Sequence, residues 1–372
     1  MKNLKSLFSI QLIVGCLITF LMVLSCREEV AYLKKDISTL KINVLMEDSL
    51  LNVRALEVSP PNIGVFATSD GRIGFITADV PIMPNAKTST LTVTMAQNLT
   101  FKADTIIPNF RSLAITNKGL FVMGIGSPAM LFKVDSTNTV NVVYREDDPK
   151  AFYDSIEFWN DEEGIAIGDP TGDCMSIIIT RDGGNTWSKI ECSKLPRVEE
   201  GEAAFAASDS NIAIVGDEVW VATGGMSSRI FYSPDKGESW GVKNTPIIQG
   251  KAMQGMFSVD FFDSLHGFAI GGDFEDPGNN HNNKIRTSDG GMTWKLEGAG
   301  TGPGYRSNIS YIPGRGKELV AVGFKGIDYS KDEGKTWRHL SDEGFYTLRF
   351  LNDTIAYAGG KGRVALLVFS RQ

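Results

Sequence analysis

The octapeptide TRDGGNTW, Thr180 to Trp187, returns three times along the chain: SPDKGESW from Ser233, TSDGGMTW from Thr287 and SKDEGKTW from Ser330. The shared pattern is Ser/Thr-x-Asp-x-Gly-x-Thr/Ser-Trp. It sets Asp182, Gly184 and Trp187, then Asp235, Gly237 and Trp240, then Asp289, Gly291 and Trp294, then Asp332, Gly334 and Trp337 in the same roles. An aspartate accepts backbone N–H bonds within its own turn, and glycine supplies a positive φ. The tryptophan that follows is a large apolar group to bury between neighbouring units. One turn chemistry repeated every roughly 43 to 54 residues means a chain assembled from equal supersecondary units.

That interval is the length of a four-stranded propeller blade. Inner strands are expected near VRALEVS (from Val53), FRSLAIT (Phe110), DSIEFW (Asp154), EAAFAAS (Glu202), FSVDFF (Phe257), RSNISYI (Arg306) and YTLRFL (Tyr346). Each is followed by an apolar strand ending in glycine, such as LFVMGIG, GIAIGDP or GFAIGGD, and no amphipathic helix interrupts them. The 39 glycines suit so many turns. The expected fold is an all-β, seven-bladed β-propeller with Asp-box hairpins. The last blade is one strand short, and TLKINVLM (Thr39 to Met46) supplies it, closing the ring and removing exposed edges.

The repeated turn resembles the Asp-box, or BNR, repeat of sialidases, sortilin-type receptors and photosystem-II-assembly-factor-like proteins. The segments FYDSIEFWNDEEGIAIGDP (Phe152 to Pro170), GEAAFAAS (Gly201 to Ser208) and GYRSNISYIPG (Gly304 to Gly314) are similar to motifs of bacterial members of the last group. The resemblance covers most of the chain from about residue 51. It implies a non-enzymatic binding or assembly role.

Ahead of the repeats, Lys2 and Lys5 precede an apolar run from about Leu7 to Leu24, the plan of an export signal. VLSC, Val23 to Cys26, resembles a bacterial lipobox, which implies lipidation at Cys26; an uncleaved membrane anchor is the other reading of so long a run. Glu28 and Glu29 resemble the surface-export signal of Bacteroidetes lipoproteins. The expected division is a signal peptide over 1–25, a lipidated tether over 26–38 and the propeller over 39–372. The expected location is the bacterial envelope: outer membrane, on the cell surface, held by the lipid anchor only. Cys16 leaves with the signal and Cys26 takes lipid. Cys174 and Cys192 remain as the candidate disulfide, standing nearly symmetrically about the turn at Asp182–Gly184.

Propeller topology brings the starts of the inner strands to one mouth of the channel, with the repeated turns on the opposite face. The ligand-binding candidates are therefore Arg54, Arg111, Tyr153, Asp154, Glu202, Tyr305, Arg306 and Tyr346. The arginines suit carboxylates, and the tyrosines supply flat contact area. Salt bridges between blades are the structural alternative.

Three other signals lead elsewhere. Gly124-x-Gly126-x-x-Ala129, with Glu146 about twenty residues on, nearly matches a dinucleotide fingerprint. The residues after it are too rich in β-branched side chains for the required helix. Asp273, Glu275 and Asp276 in DFEDPGNNHNN offer calcium-type oxygens without EF-hand spacing. His266, His281 and His339 show no zinc spacing. No cofactor or metal is expected. The net charge of −7 argues against nucleic acid.

Two functions compete. The first is a monomeric, non-catalytic platform for an envelope protein or peptide, with a glycan as the other ligand class. The second is a sialidase-type glycoside hydrolase, which needs an arginine clamp and two carboxyl groups. The sialidase Arg-Ile-Pro signature is absent, since Arg54 reads VRAL.

Overall fold

The computed structural model describes residues 35–60, 62–78, 91–96, 101 and 106–372. The export signal, Cys26 and the start of the tether lie outside the described residues. Among those described, every element is a strand except one 3-10 turn at Cys192–Lys194. The fold is an all-β β-propeller whose strands are antiparallel throughout.

The sheets number six among the described residues, not the seven expected. The difference lies in the strand Ile37–Ser59, which runs unbroken through Glu47-Asp48-Ser49. Its first part pairs with Ile355–Arg371, from Thr39↔Ser370 to Met46↔Val364. Its last part pairs with Ile63–Thr68, from Val53↔Thr68 to Ser59↔Ile63. The expected first and last blades therefore share one six-stranded sheet. Around the ring, the innermost strands Ile37–Ser59, Phe110–Thr116, Tyr153–Phe158, Ile212–Val215, Gln254–Phe261, Asn308–Tyr311 and Thr347–Phe350 stand side by side. The core lies in the layers between neighbouring sheets, as in the cluster of Phe121, Tyr153, Ile156, Ile178 and Trp187.

The fourth inner strand is also corrected. Only Glu202–Ala203 of EAAFAAS is extended, and it pairs with Gly224–Gly225 at the edge of the following sheet. The inner strand there is Ile212–Val215.

Each repeated turn is closed by its own side chains. Thr180 Oγ1 donates to Asp182 Oδ1 (2.9 Å) and accepts the Gly184 N–H (3.0 Å). Asp182 accepts the Thr186 N–H (2.9 Å) and hydroxyl (2.7 Å). The same bonds recur around Asp235, Asp289 and Asp332. The glycine is required twice over. Gly184 has φ +73°, and a Cβ there would stand 2.2 Å from the Phe121 ring of the preceding sheet. Trp187 and Trp294 are buried between sheets, Trp187 edge-on to Phe158.

Cys174 and Cys192 are joined by a disulfide with Cα atoms 5.5 Å apart. The Gly124–Ala129 stretch connects the paired strands Gly119–Gly124 and Ala129–Val134, so no helix follows the glycines to receive a pyrophosphate.

Candidate functional site: the plugged channel mouth

A β-bulge recurs at one register of the inner strands. Val53↔Thr68 is followed by Ala55↔Ala67, leaving Arg54 as the extra residue. The same skip leaves out Arg111, Asp154 and Phe257. A bulge breaks the alternation and re-aims one side chain. The register analogue on the last inner strand is Tyr346, whose N–H bonds to Gly359 O while Thr347 pairs with Gly359.

Arg54, Arg111, Asp154 and Tyr346 do meet at one end of the channel. What they meet over is the chain's own segment Ala204–Asn211. Arg54 Nη1 donates to Ala207 O (2.9 Å), and its guanidinium lies 3.9 Å above the Tyr346 ring. Arg111 donates through Nη1 to Ala206 O (3.2 Å) and through Nε to Asn109 (3.2 Å). Further along, Ser208 Oγ donates to Ser307 O (2.5 Å) and Ser208 O accepts from Thr347 Oγ1 (2.8 Å). Asp209 accepts the Leu113 N–H (2.8 Å) and the Ser155 hydroxyl (2.9 Å), and its carbonyl accepts from Arg349 (2.5 Å). Ser210 reaches Ser258 at 2.8 Å. One short segment thus bonds to every other sheet of the ring, which only a segment on the axis can do. It plugs the channel.

Of the other candidates, only Tyr305 borders this cluster. Arg306 sits one residue ahead of the bulge register and turns into a buried pair with Asp328 (2.6 Å). Glu202, displaced from the inner strands, is buried and bound to Arg229 (2.5 Å) and Thr223 (2.6 Å). Tyr153 is buried against Tyr144 and Glu146, its hydroxyl donating to Glu146 at 2.8 Å. Tyr305 is buried in an aromatic group with Phe257, Phe274 and Phe324 that flanks the arginines. Asp273 spends its carboxylate on its own loop, on Gln254 and on Lys251. Among the described residues no group of three or more His, Cys, Asp or Glu side chains is arranged to hold a metal ion.

Burial governs the electrostatics. It pushes Arg111 down to about 10, helped by the like charge of Arg54. Asp154 is fully buried, and burial first, then Asp169, drives it well above the usual carboxylate range, against the opposing pull of the Ala206 N–H and the Arg111 charge. Burial raises Asp169 to about 6.

Below the plug is a chamber of about 200 Å³ lined by Glu157, Asp209, Asp260, Asn308 and Arg349. Arg349 bonds Glu57 at 2.5 Å. Burial pushes Asp209 up to about 8, against the pull of Arg349, and Asp260 up to about 6. This layer has a signature in the sequence: Glu57, Glu157, Asp260 and Arg349 each stand three residues beyond a bulge or rim position, Arg54, Asp154, Phe257 and Tyr346.

The sign of the pH dependence follows. Between the ordinary 3.8 and about 8, native Asp209 holds a proton that the unfolded chain has lost, so stability falls as pH rises through that window. Asp169 and Asp260 act in the same direction up to about 6. Calorimetry should show Tm falling from about pH 5 to about pH 8. Asp209→Asn, which can keep both side-chain contacts if the Ser155 hydroxyl reverses, should flatten that slope.

No family model matches the chain, and no curated protein matches it. Solved structures do. A streptogramin B lyase superposes with TM-score 0.62 at 14% identity, covering 91% of this chain and 99% of its own. A structure described as YCF48 bound to D1 peptide gives TM-score 0.57 at 12% identity, over 92% of this chain and 99% of that one. Virginiamycin B lyase from Staphylococcus aureus gives TM-score 0.56 at 13% identity, covering 89% and 99%. At such identities the likeness is one of fold: the chain is a β-propeller, and its neighbours include both YCF48 with a bound peptide and lyases.

Proposed function

We propose that this chain is a non-catalytic, monomeric peptide-binding platform, an Asp-box propeller of the photosystem-II-assembly-factor-like kind. On this reading it is held in the bacterial envelope by lipid on Cys26. The observation that carries the proposal is the channel mouth. Arg54 and Arg111 are bulged off their strands and donate to main-chain carbonyls, the chemistry that holding a peptide requires. The peptide-bound neighbour supports the same class of partner.

Each guanidinium carries five N–H donors, and the plug takes one from each arginine. Arg54 Nε is without a partner. Partly buried arginines beside Tyr346, with the exposed Phe274 packed on the neighbouring Tyr305, suit a peptide bearing a carboxylate next to an apolar side chain. The glycosidase alternative loses two of its parts: Glu202 is spent on Arg229 and Arg306 on Asp328, so one carboxylate and the third arginine of the clamp are missing from the mouth.

The test is capture of peptides from an envelope digest by the purified protein, beside turnover of a fluorogenic sialoside. Wild type should retain acidic or carboxylate-ended peptides, and the Arg54→Ala, Arg111→Ala double variant should lose them by tenfold or more, about 1.4 kcal/mol. Sialoside turnover, or capture unchanged in a folded double variant, would overturn the proposal.

A further inference from the structure

The face opposite the mouth carries a cluster of exposed apolar side chains. Phe262 and Leu265, in the turn after the strand Gln254–Phe261, are 43% and 52% exposed, and Met292, in the third repeated turn, is 43% exposed. The two turns are joined, since the Gly290 N–H donates to Leu265 O (3.0 Å). Phe262 lies over the next sheet, 5.9 Å from the Tyr311 ring and against Gly316.

The described chain enters the sheets on this same face. The strand Ile355–Arg371 starts here, reaches the mouth at Gly359, and returns, so Arg371 and its partner Ile37 lie at the end away from the mouth. Ile37 shares a buried cluster with Ile312, the residue after Tyr311, whose ring meets Phe262. The entry point and the apolar cluster therefore flank a single sheet.

We propose that Phe262, Leu265 and Met292 form a lipid-facing surface that rests on the bilayer to which the chain is tethered. This rests on the reading that Cys26 anchors the protein. The eleven residue-to-residue steps from Cys26 to Ile37 span at most on the order of 40 Å when extended. A surface held that close meets the bilayer as an intramolecular event, so an affinity too weak for a free protein suffices. Seating this face on lipid points the channel mouth, with Arg54 and Arg111, away from the membrane.

The experiment uses the full mature protein in phosphatidylethanolamine–phosphatidylglycerol vesicles. Leu265→Cys, Met292→Cys and, on the mouth side, the exposed Met226→Cys are each labelled with an environment-sensitive fluorophore, the site being verified by mass spectrometry. Lipids carrying a headgroup nitroxide should quench positions 265 and 292 several-fold more than position 226. Protein that floats with vesicles but shows equal, weak quenching at all three positions overturns the inference and leaves the anchor standing. Quenching at 226 alone overturns it by reversing the orientation. Protein that does not float with vesicles removes the anchor and the inference together.

Discussion

Arg229→Ala is expected to lower the unfolding free energy by about 3–5 kcal/mol, because it leaves a buried charge without its partner. Glu202 has no exposed side-chain surface and receives Arg229 through both Nε and Nη2. Without the guanidinium its carboxylate keeps only the Thr223 hydroxyl and the Glu199 N–H. The effect reaches the channel. Glu202 stands two residues before Ala204, where the plug begins with a 2.9 Å bond to Asp169. Urea unfolding should show the lost stability, and limited proteolysis should show earlier cleavage between residues 197 and 211. Arg229→Met combined with Glu202→Leu should recover most of the loss, since a buried pair can often be replaced by apolar groups at little cost. A single variant within about 1 kcal/mol of wild type, roughly a fivefold change in the folding equilibrium, would mean that the pair is open to water.

A second large loss is expected from Trp220→Ala, about 3–5 kcal/mol. Trp220 is fully buried, stacked 3.7 Å from the Phe261 ring. Its indole N–H donates to Gly290 O at 2.9 Å, inside the third repeated turn. Truncation opens a cavity between two sheets and strips a partner from a turn carbonyl. Trp220→Phe keeps most of the stacking and should cost less. If the two variants unfold at the same denaturant concentration, the ring contact is not what holds these sheets.

The parts of this fold that were legible in the sequence are those whose partners are local. The four turns satisfy themselves within seven residues, so Asp182, Gly184 and Trp187 and their repeats announce the turn wherever it falls. Arg54, Arg111, Asp154 and Tyr346 were legible because each inner strand repeats the same pattern. The failures are non-local. EAAFAAS has the small and apolar pattern of an inner strand, but its carbonyls find bonds on the other sheets of the ring, and only the three-dimensional structure puts Arg54, Arg111 and Thr347 within its reach. Arg306 missed the mouth by a single residue, a shift that a bulge makes decisive and composition does not reveal. The ladder is irregular between Glu47 and Asn52, yet the strand is carried across because Asn52 pairs with Lys361 of the same partner strand. Seven expected units became six sheets for that reason.

The pairing of Ile37 with Arg371 joins the two ends of the described sheets, and it orders events in time. Contacts so far apart in sequence are slow to form. Strands Phe110–Thr116 to Val140–Glu146 can pair as soon as they exist, one hairpin after another. The segment from Ile37 to Glu47 has no strand beside it until Val364–Arg371 has been made. During synthesis the ring is therefore an open arc with an unpaired edge at its beginning, and the closing of that edge is the last step. A chain cut short by its final nine residues, Val364 to Gln372, should keep most of its hairpins and yet associate with other chains through that edge.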